Sequence, residues 1–229
     1  MSTMLILLWT LLTLAIATAS ILLGMRYTVA YPIAMMAVLM TVAQILANKL
    51  VLVGPFAVPG GILVFSATFL ITDLLGELWG KREARTAVWA GFYGSIFLAA
   101  MVWMVSVWPS PEYAVEGAQL WNAALALTPR IVLASLVSYL IVQHLDVWLF
   151  HALKRVTRGK HLWLRNNAST LVSQGVDSVL FASIALYGVI PLAPVILGTY
   201  AVKIAVALID TPFVYAVRAL AARVTKKEY

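Results

Sequence analysis

Residues 61–79 read GILVFSATFLITDLLGELW, an apolar run that carries two carboxylates, Asp73 and Glu77. As a helix, these 19 residues extend roughly 28 Å, close to the ~30 Å hydrocarbon thickness of a bilayer. A charge at that depth costs at least about 2.5–3.5 kcal/mol on insertion scales, so each carboxylate needs a reason to be there. Whether the run crosses a membrane is decided by what flanks it.

What flanks it is more of the same. Six further stretches of spanning length follow the same pattern: Met4 to Met25, Tyr31 to Val53, Ala87 to Trp108, Pro129 to Phe150, Ala168 to Ile190 and Pro194 to Val217. Across all 229 residues, 63% are apolar and 11% charged, with a mean hydropathy of +0.96. Soluble domains are nearer half apolar and a quarter charged, so the exterior itself must be apolar. The alternating ten-residue pattern of a β-barrel is missing, which leaves helices as the spanning solution. The expected fold class is therefore all-α: a polytopic transmembrane helical bundle, one integral membrane domain over residues 1–229.

The basic residues orient it. Arg26, then Lys81, Arg82 and Arg85, then Lys154, Arg155, Arg158, Lys160 and Arg165, then Arg218, Arg223, Lys226 and Lys227 fall in alternate connections, 13 of the 16 Lys and Arg. The intervening connections hold Pro55, Pro59, Gly60, Pro109, Pro111, Glu112, Glu116, Pro191 and Pro194, without Lys or Arg. The positive-inside rule then puts the N-terminus outside and the C-terminus inside, which requires an odd number of spans. Seven fits; if the first run is not a span, the count is six with both ends inside. The net charge of +7 is thereby spent on topology, and no nucleic-acid partner is expected.

The polar residues inside the spans are the candidate site. Asp73 and Glu77 share a helical face, Glu77 near the inner interface where Lys81 offers a solvated partner at the same spacing. In the sixth span Asn166, Thr170, Ser173 and Asp177 recur at helical spacing, flanked by Asn167, Gln174 and Ser178. The hydroxyls alone read as helix–helix glue, whereas Asp177 goes beyond what packing requires. Lys203 and Asp210 are two turns apart on the seventh span, about 10 Å along its axis, so each calls for a partner from another helix. Asp73, Asp177, Lys203 and Asp210 are expected at comparable depth. Asn48 and Lys49, Arg130, and the pair His144 and Asp146 are expected near span ends, with Asp146 and Lys49 interfacial. Acidic groups in an apolar bundle suit a solute that is cationic or rich in N–H donors.

No HExxH, Gly-rich phosphate loop, Walker motif or GxSxG is present, and cysteine is absent. The chain is not expected to be an enzyme, and no cofactor or metal is expected.

The ordered motifs resemble one family. They are Asn48-Lys49, Thr72-Asp73 through Gly76-Glu77 to Gly80-Lys81-Arg82, Pro129-Arg130-Ile131, Asp146-Val147-Trp148, Trp163-Leu164-Arg165-Asn166-Asn167 with Ser173-Gln174 and Asp177-Ser178, and Asp210-Thr211-Pro212-Phe213. This set, covering roughly residues 47–217, resembles the queuosine precursor transporter family, also called vitamin-uptake-like integral membrane proteins. The resemblance implies uptake of 7-deazaguanines, the cyano- and aminomethyl-substituted forms among them, across the bacterial inner membrane. The partner would be a small nucleobase-like molecule in a multi-pass protein embedded in the lipid bilayer, with a homodimer as the oligomeric expectation. Asp177 or Asp73 would accept from the amine edge of the base, with Asn167 and Gln174 as amide partners. Lys203 would neutralise an empty-site carboxylate or meet a carbonyl oxygen. Glu77, Asp210, Asn48, Lys49, Arg130, Asn166 and Ser173 complete the candidate set. A self-sufficient secondary transporter is the first reading. A binding subunit that needs a separate ATPase module, or a structural membrane protein without a ligand, are the alternatives.

Overall fold

The computed structural model describes residues 3–125, 129–188 and 192–225. In chain order it runs α1 (Thr3–Arg26), α2 (Ala30–Leu46), β1 (Leu50–Val53), β2 (Phe56–Pro59), α3 (Ile62–Leu78), α4 (Lys81–Val107), a 3-10 turn at Glu112–Ala114, α5 (Val115–Leu125), α6 (Pro129–Val156), α7 (Leu162–Leu186) and α8 (Leu192–Thr225). Five of these, α1, α4, α6, α7 and α8, are long and apolar enough to cross a membrane, and α2 is a shorter apolar helix. The chain is thus a multi-pass integral membrane protein built from helices.

The apolar run that carries Asp73 and Glu77 forms α3, which lies at the centre of the bundle. It packs against α1, α2, α4, α6 and α8, and 14 of its 17 residues are buried. A helix that is apolar all round is one enclosed by protein, and α3 is that case. Its buried faces feed the main core, where Leu70, Ile71, Leu74 and Leu75 meet Met36, Met40, Ala84, Val88 and Phe150. The side chains left exposed, such as Leu8 and Leu12 on α1, Phe97 and Trp103 on α4, and Leu197 and Leu208 on α8, are large and apolar. An outside solvent that is itself apolar explains them.

The expected second span to Val53 is corrected. α2 stops at Leu46, and residues 50–59 form a two-stranded antiparallel hairpin in which Val51 pairs with Val58 and Val53 with Phe56. The Asn48 side-chain amide donates to the carbonyls of Gln44 and Ile45 (3.0 and 3.3 Å), closing the helix end. The β-branched valines then favour strand, and Gly54, at φ +58°, supplies the left-handed turn residue before Pro55. The hairpin is the one departure from an all-α fold among the described residues.

The hairpin fixes how α2 and α3 meet. A Cβ on Gly61 would overlap the Ala43 carbonyl, so this crossing accepts only glycine without movement. Pro212 sits within α8, which continues through it to Thr225.

Candidate functional site

Two polar sites lie along the bundle, one toward the hairpin end and one toward the end that carries the basic connections. At the hairpin end, the Lys203 ammonium on α8 is ion-paired with the Asp177 carboxylate on α7. It also sits 5.2 Å from the centre of the Phe65 ring on α3, a cation–π distance. Both charged residues line a cleft of about 540 Å³ of atom-free space, part of it open to the outside. Gln44 of α2, Ser135 of α6, Phe181 of α7 and Thr199 of α8 share the wall. Small-molecule sites combine apolar and aromatic walls with a few placed polar groups, and this cleft has that make-up. Aspartate, lysine, amide and hydroxyl groups here offer acceptors and donors side by side, with two phenyl rings for stacking.

Asn166 precedes Asp177 by 11 residues on α7, about 16 Å along the axis. Here three carboxyl groups converge: Asp73 from α3, Asp146 from α6 and Asp210 from α8, none more than 2% exposed. Asp73 lies within hydrogen-bond reach of Asp146. The Thr170 hydroxyl donates to Asp73 (3.5 Å), the Thr72 hydroxyl to Asp146 (3.5 Å), and the Asn166 amide to Asp210 (3.1 Å). Ser169 and Ser173 also lie against Asp146.

One turn further, Glu77 ends α3 in a clamp. Arg165 Nη1 of α7 and Lys154 Nζ of α6 each reach one of its oxygens at 2.9 Å, and Arg218 Nε of α8 lies 3.8 Å from the other. Arg165 also donates to the Gly159 carbonyl at 3.2 Å and its guanidinium stands 5.3 Å from the Phe150 ring centre. A single carboxylate thus ties α3 to three helices. Glu77 does not take the solvated pair with Lys81, because α6 and α7 extend past it and bring their own cations closer.

Residues 59–217 match the family model described as "Putative vitamin uptake transporter". The chain belongs to that family. It is 33% identical over 162 residues to a "Probable queuosine precursor transporter" of Bacillus subtilis (strain 168), covering 69% of this chain and 70% of the relative. It is 28% identical over 127 residues to a "Probable queuosine precursor transporter" of Haemophilus influenzae, covering 56% of this chain and 51% of that protein. No solved structure matches. The vitamin uptake transporter family is one of transporters and not of enzymes, in line with the resemblance carried by the motifs.

In this family member, the candidate residues divide by level. Asp177 and Lys203 come together at the cleft, whereas Asp73 and Asp210 meet Asp146 near the other end. The expectation of one common depth is corrected: α7 carries Asp177 in its second half and Asn166 in its first turns, so the two levels cannot merge. Asp146 is also corrected from interfacial to fully buried. α6 continues to Val156, ten residues past it, or about 15 Å of further helix. Asn167 donates to the Trp163 carbonyl and to the Thr211 hydroxyl, both at 2.9 Å, and so bridges α7 to α8 away from the cleft. Gln174 is buried with neither amide atom bonded, and Ser173 turns toward Asp146. Asn48 serves the α2 terminus and Lys49 is exposed beyond it. The Arg130 side chain lies outside the described residues.

Several site residues were missed from sequence. Gln44 had a signal, as the lone amide in an otherwise apolar α2. Arg165 was read with the basic connection, yet its side chain is fully buried. Phe65 and Phe181 had no signal, since a phenylalanine in an apolar run is indistinguishable from core.

Proposed function

We propose that the chain imports 7-deazaguanine precursors of queuosine, such as the cyano- and aminomethyl-substituted forms, across the bacterial inner membrane as a secondary transporter. The observation that carries this reading is the Asp177–Lys203 pair on the wall of an aromatic cleft. A guanine-like edge presents a ring N–H beside an exocyclic amine, which one carboxylate accepts in bidentate fashion. In the empty site, Lys203 neutralises Asp177. On arrival of the base, Asp177 exchanges the ammonium for the two N–H donors, and Lys203 turns to the ring carbonyl oxygen. Phe65, already under the ammonium, stacks on the base face. The names of both relatives support the ligand class.

α5, at 11 residues, is too short to span a bilayer. Setting it aside gives seven spans, α1 to α4 and α6 to α8, with the N-terminus outside. The hairpin, α5 and the α7–α8 connection then share the outer side, and the basic connections the inner side. The cleft lies at the hairpin end, the outer side in this assignment, where an importer would receive its solute.

The test is uptake by the purified chain alone in liposomes, screened with cyano- and aminomethyl-deazaguanines against guanine and other purines. Deazaguanine flux without ATP is expected. Flux only with an added ATPase module, or equal flux of every purine, refutes the reading.

A further inference from the structure

We infer that Asp73 and Asp146 form a proton-binding site, one proton held between two facing carboxyl groups, through which the proton gradient drives transport. The binding half stands on the burial and mutual approach of the two carboxyl groups; the coupling half rests on the transport reading above.

Two carboxyl groups within hydrogen-bond reach can bond to each other only if one of them carries a proton, because an ionised carboxylate is acceptor-only. Both are away from water, at 2% and 0% exposure, where two unpaired anions would repel with little screening. A single shared proton turns that repulsion into an O–H···O⁻ bond, which is among the stronger hydrogen bonds.

Among the described residues, no cation competes for the role. Arg165, Lys154 and Arg218 surround Glu77, and Lys203 is engaged by Asp177. Of the helices packed on α3, α1 has only Arg26 and α2 only Tyr31 as titratable groups, each at a helix end, while α4 keeps Lys81, Arg82, Glu83 and Arg85 in its first two turns. From α6, His144 bonds the Leu140 carbonyl (2.8 Å) and His151 lies against Gly76. The charged group that faces the pair from α8 is Asp210, a third carboxyl. Among the described residues, no three acidic or histidine groups converge closely enough to hold a metal ion.

The surroundings are not those of a finished structural knot. Asp73 Oδ1, Asp146 Oδ1 and Asn166 Oδ1 are buried acceptors that no donor of the described residues reaches. Ser173, fully buried, lies against Asp146. Buried polar groups are ordinarily satisfied, so acceptors that no donor of the chain reaches leave room for the proton that the pair holds.

The site also touches what transport must move. Asp73, Asp146, Asn166 and Asp210 sit on α3, α6, α7 and α8, the helices that bring Phe65, Ser135, Asp177 and Lys203 to the cleft. With the proton present the pair holds α3 to α6; without it, two anions force them apart. Cleft and proton site therefore read the same helix arrangement, as coupling requires.

The experiment uses the full chain in liposomes with labelled aminomethyl-deazaguanine. A one-unit pH gradient, acid outside, driving one proton per solute is expected to sustain up to about tenfold accumulation. Asp146→Asn should lose that accumulation while counterflow exchange of solute continues, and Asp146→Glu should retain it. Infrared spectra of the ligand-free protein should show a protonated-carboxyl stretching band that Asp146→Asn removes or displaces. Gradient-driven accumulation by Asp146→Asn at the wild-type level, or accumulation that follows sodium instead, overturns the coupling. Absence of the band from the wild type, or its persistence unchanged in Asp146→Asn, overturns the proton site. Wild-type protein that exchanges no deazaguanine refutes the substrate reading instead, and the infrared result still decides the site.

Discussion

Neutralising Lys203 separates the two roles proposed for Asp177, counter-ion to the ammonium and acceptor for the base. The Lys203 side chain is 4% exposed and that of Asp177 9%, so Lys203→Met leaves a buried carboxylate without its counter-ion. Removing one member of a buried ion pair costs about 3–5 kcal/mol, whereas replacing both members with neutral groups of similar volume is often neutral or stabilising. Lys203→Met alone should therefore melt well below wild type in detergent, and the double variant Asp177→Asn/Lys203→Met should recover most of that loss. Binding should not recover. An amide in place of the carboxylate keeps one acceptor oxygen and adds two donors, which face the donor edge of the base. A hydrogen bond to a charged group contributes about 1.5–3 kcal/mol, so the double variant should bind deazaguanine about 10- to 150-fold more weakly. Melting curves together with titration calorimetry read both effects on the same samples. A double variant as stable as wild type that also binds with wild-type affinity would refute Asp177 as the acceptor.

Other perturbations address the remaining parts. Glu77→Gln leaves the fully buried Arg165 guanidinium without its carboxylate and should destabilise the bundle by about 3–5 kcal/mol in denaturant titrations. Arg165→Lys should fail to substitute fully, because an ammonium cannot span both Glu77 oxygens and the Gly159 carbonyl from one plane. Gly61→Ala drives a methyl into the Ala43 carbonyl and should cost about 1–3 kcal/mol, with substrate preference among purines unchanged in competition assays. Phe65→Leu removes the stacking face and should weaken deazaguanine binding by about 1–3 kcal/mol, while Phe65→Tyr retains it.

The signals that reached the sequence reading were those with a one-dimensional cause. Apolar runs of spanning length located the helices, and the alternation of basic and proline-rich connections carries the expectation of which ends share a side. Asp177 and Lys203 stood out because charge inside such a run is costly, whatever the fold. The end of α2 was misread because residues 50–59 are as apolar as a helix, and only Gly54-Pro55 distinguishes them as a hairpin turn. Asp146 was misread because hydropathy could not show that α6 continues about 15 Å beyond it.

By itself, the sequence determined that this is a multi-pass helical membrane protein, what family its motifs resemble, and which ionisable groups lie inside the apolar runs. Each of these follows from local composition, since transfer from water to hydrocarbon acts on one residue or one helix at a time. Only the tertiary structure decided which group faces which. Asp177 meets Lys203, Asp73 meets Asp146, and Glu77 meets Arg165 across separations of 26, 73 and 88 residues. Those pairings depend on how the helices rotate and slide against one another, which is set by packing at crossings such as Gly61 on Ala43. No single helix carries that information, and it is what turns scattered charges into an ion pair lining a cleft near one end and a carboxyl pair near the other.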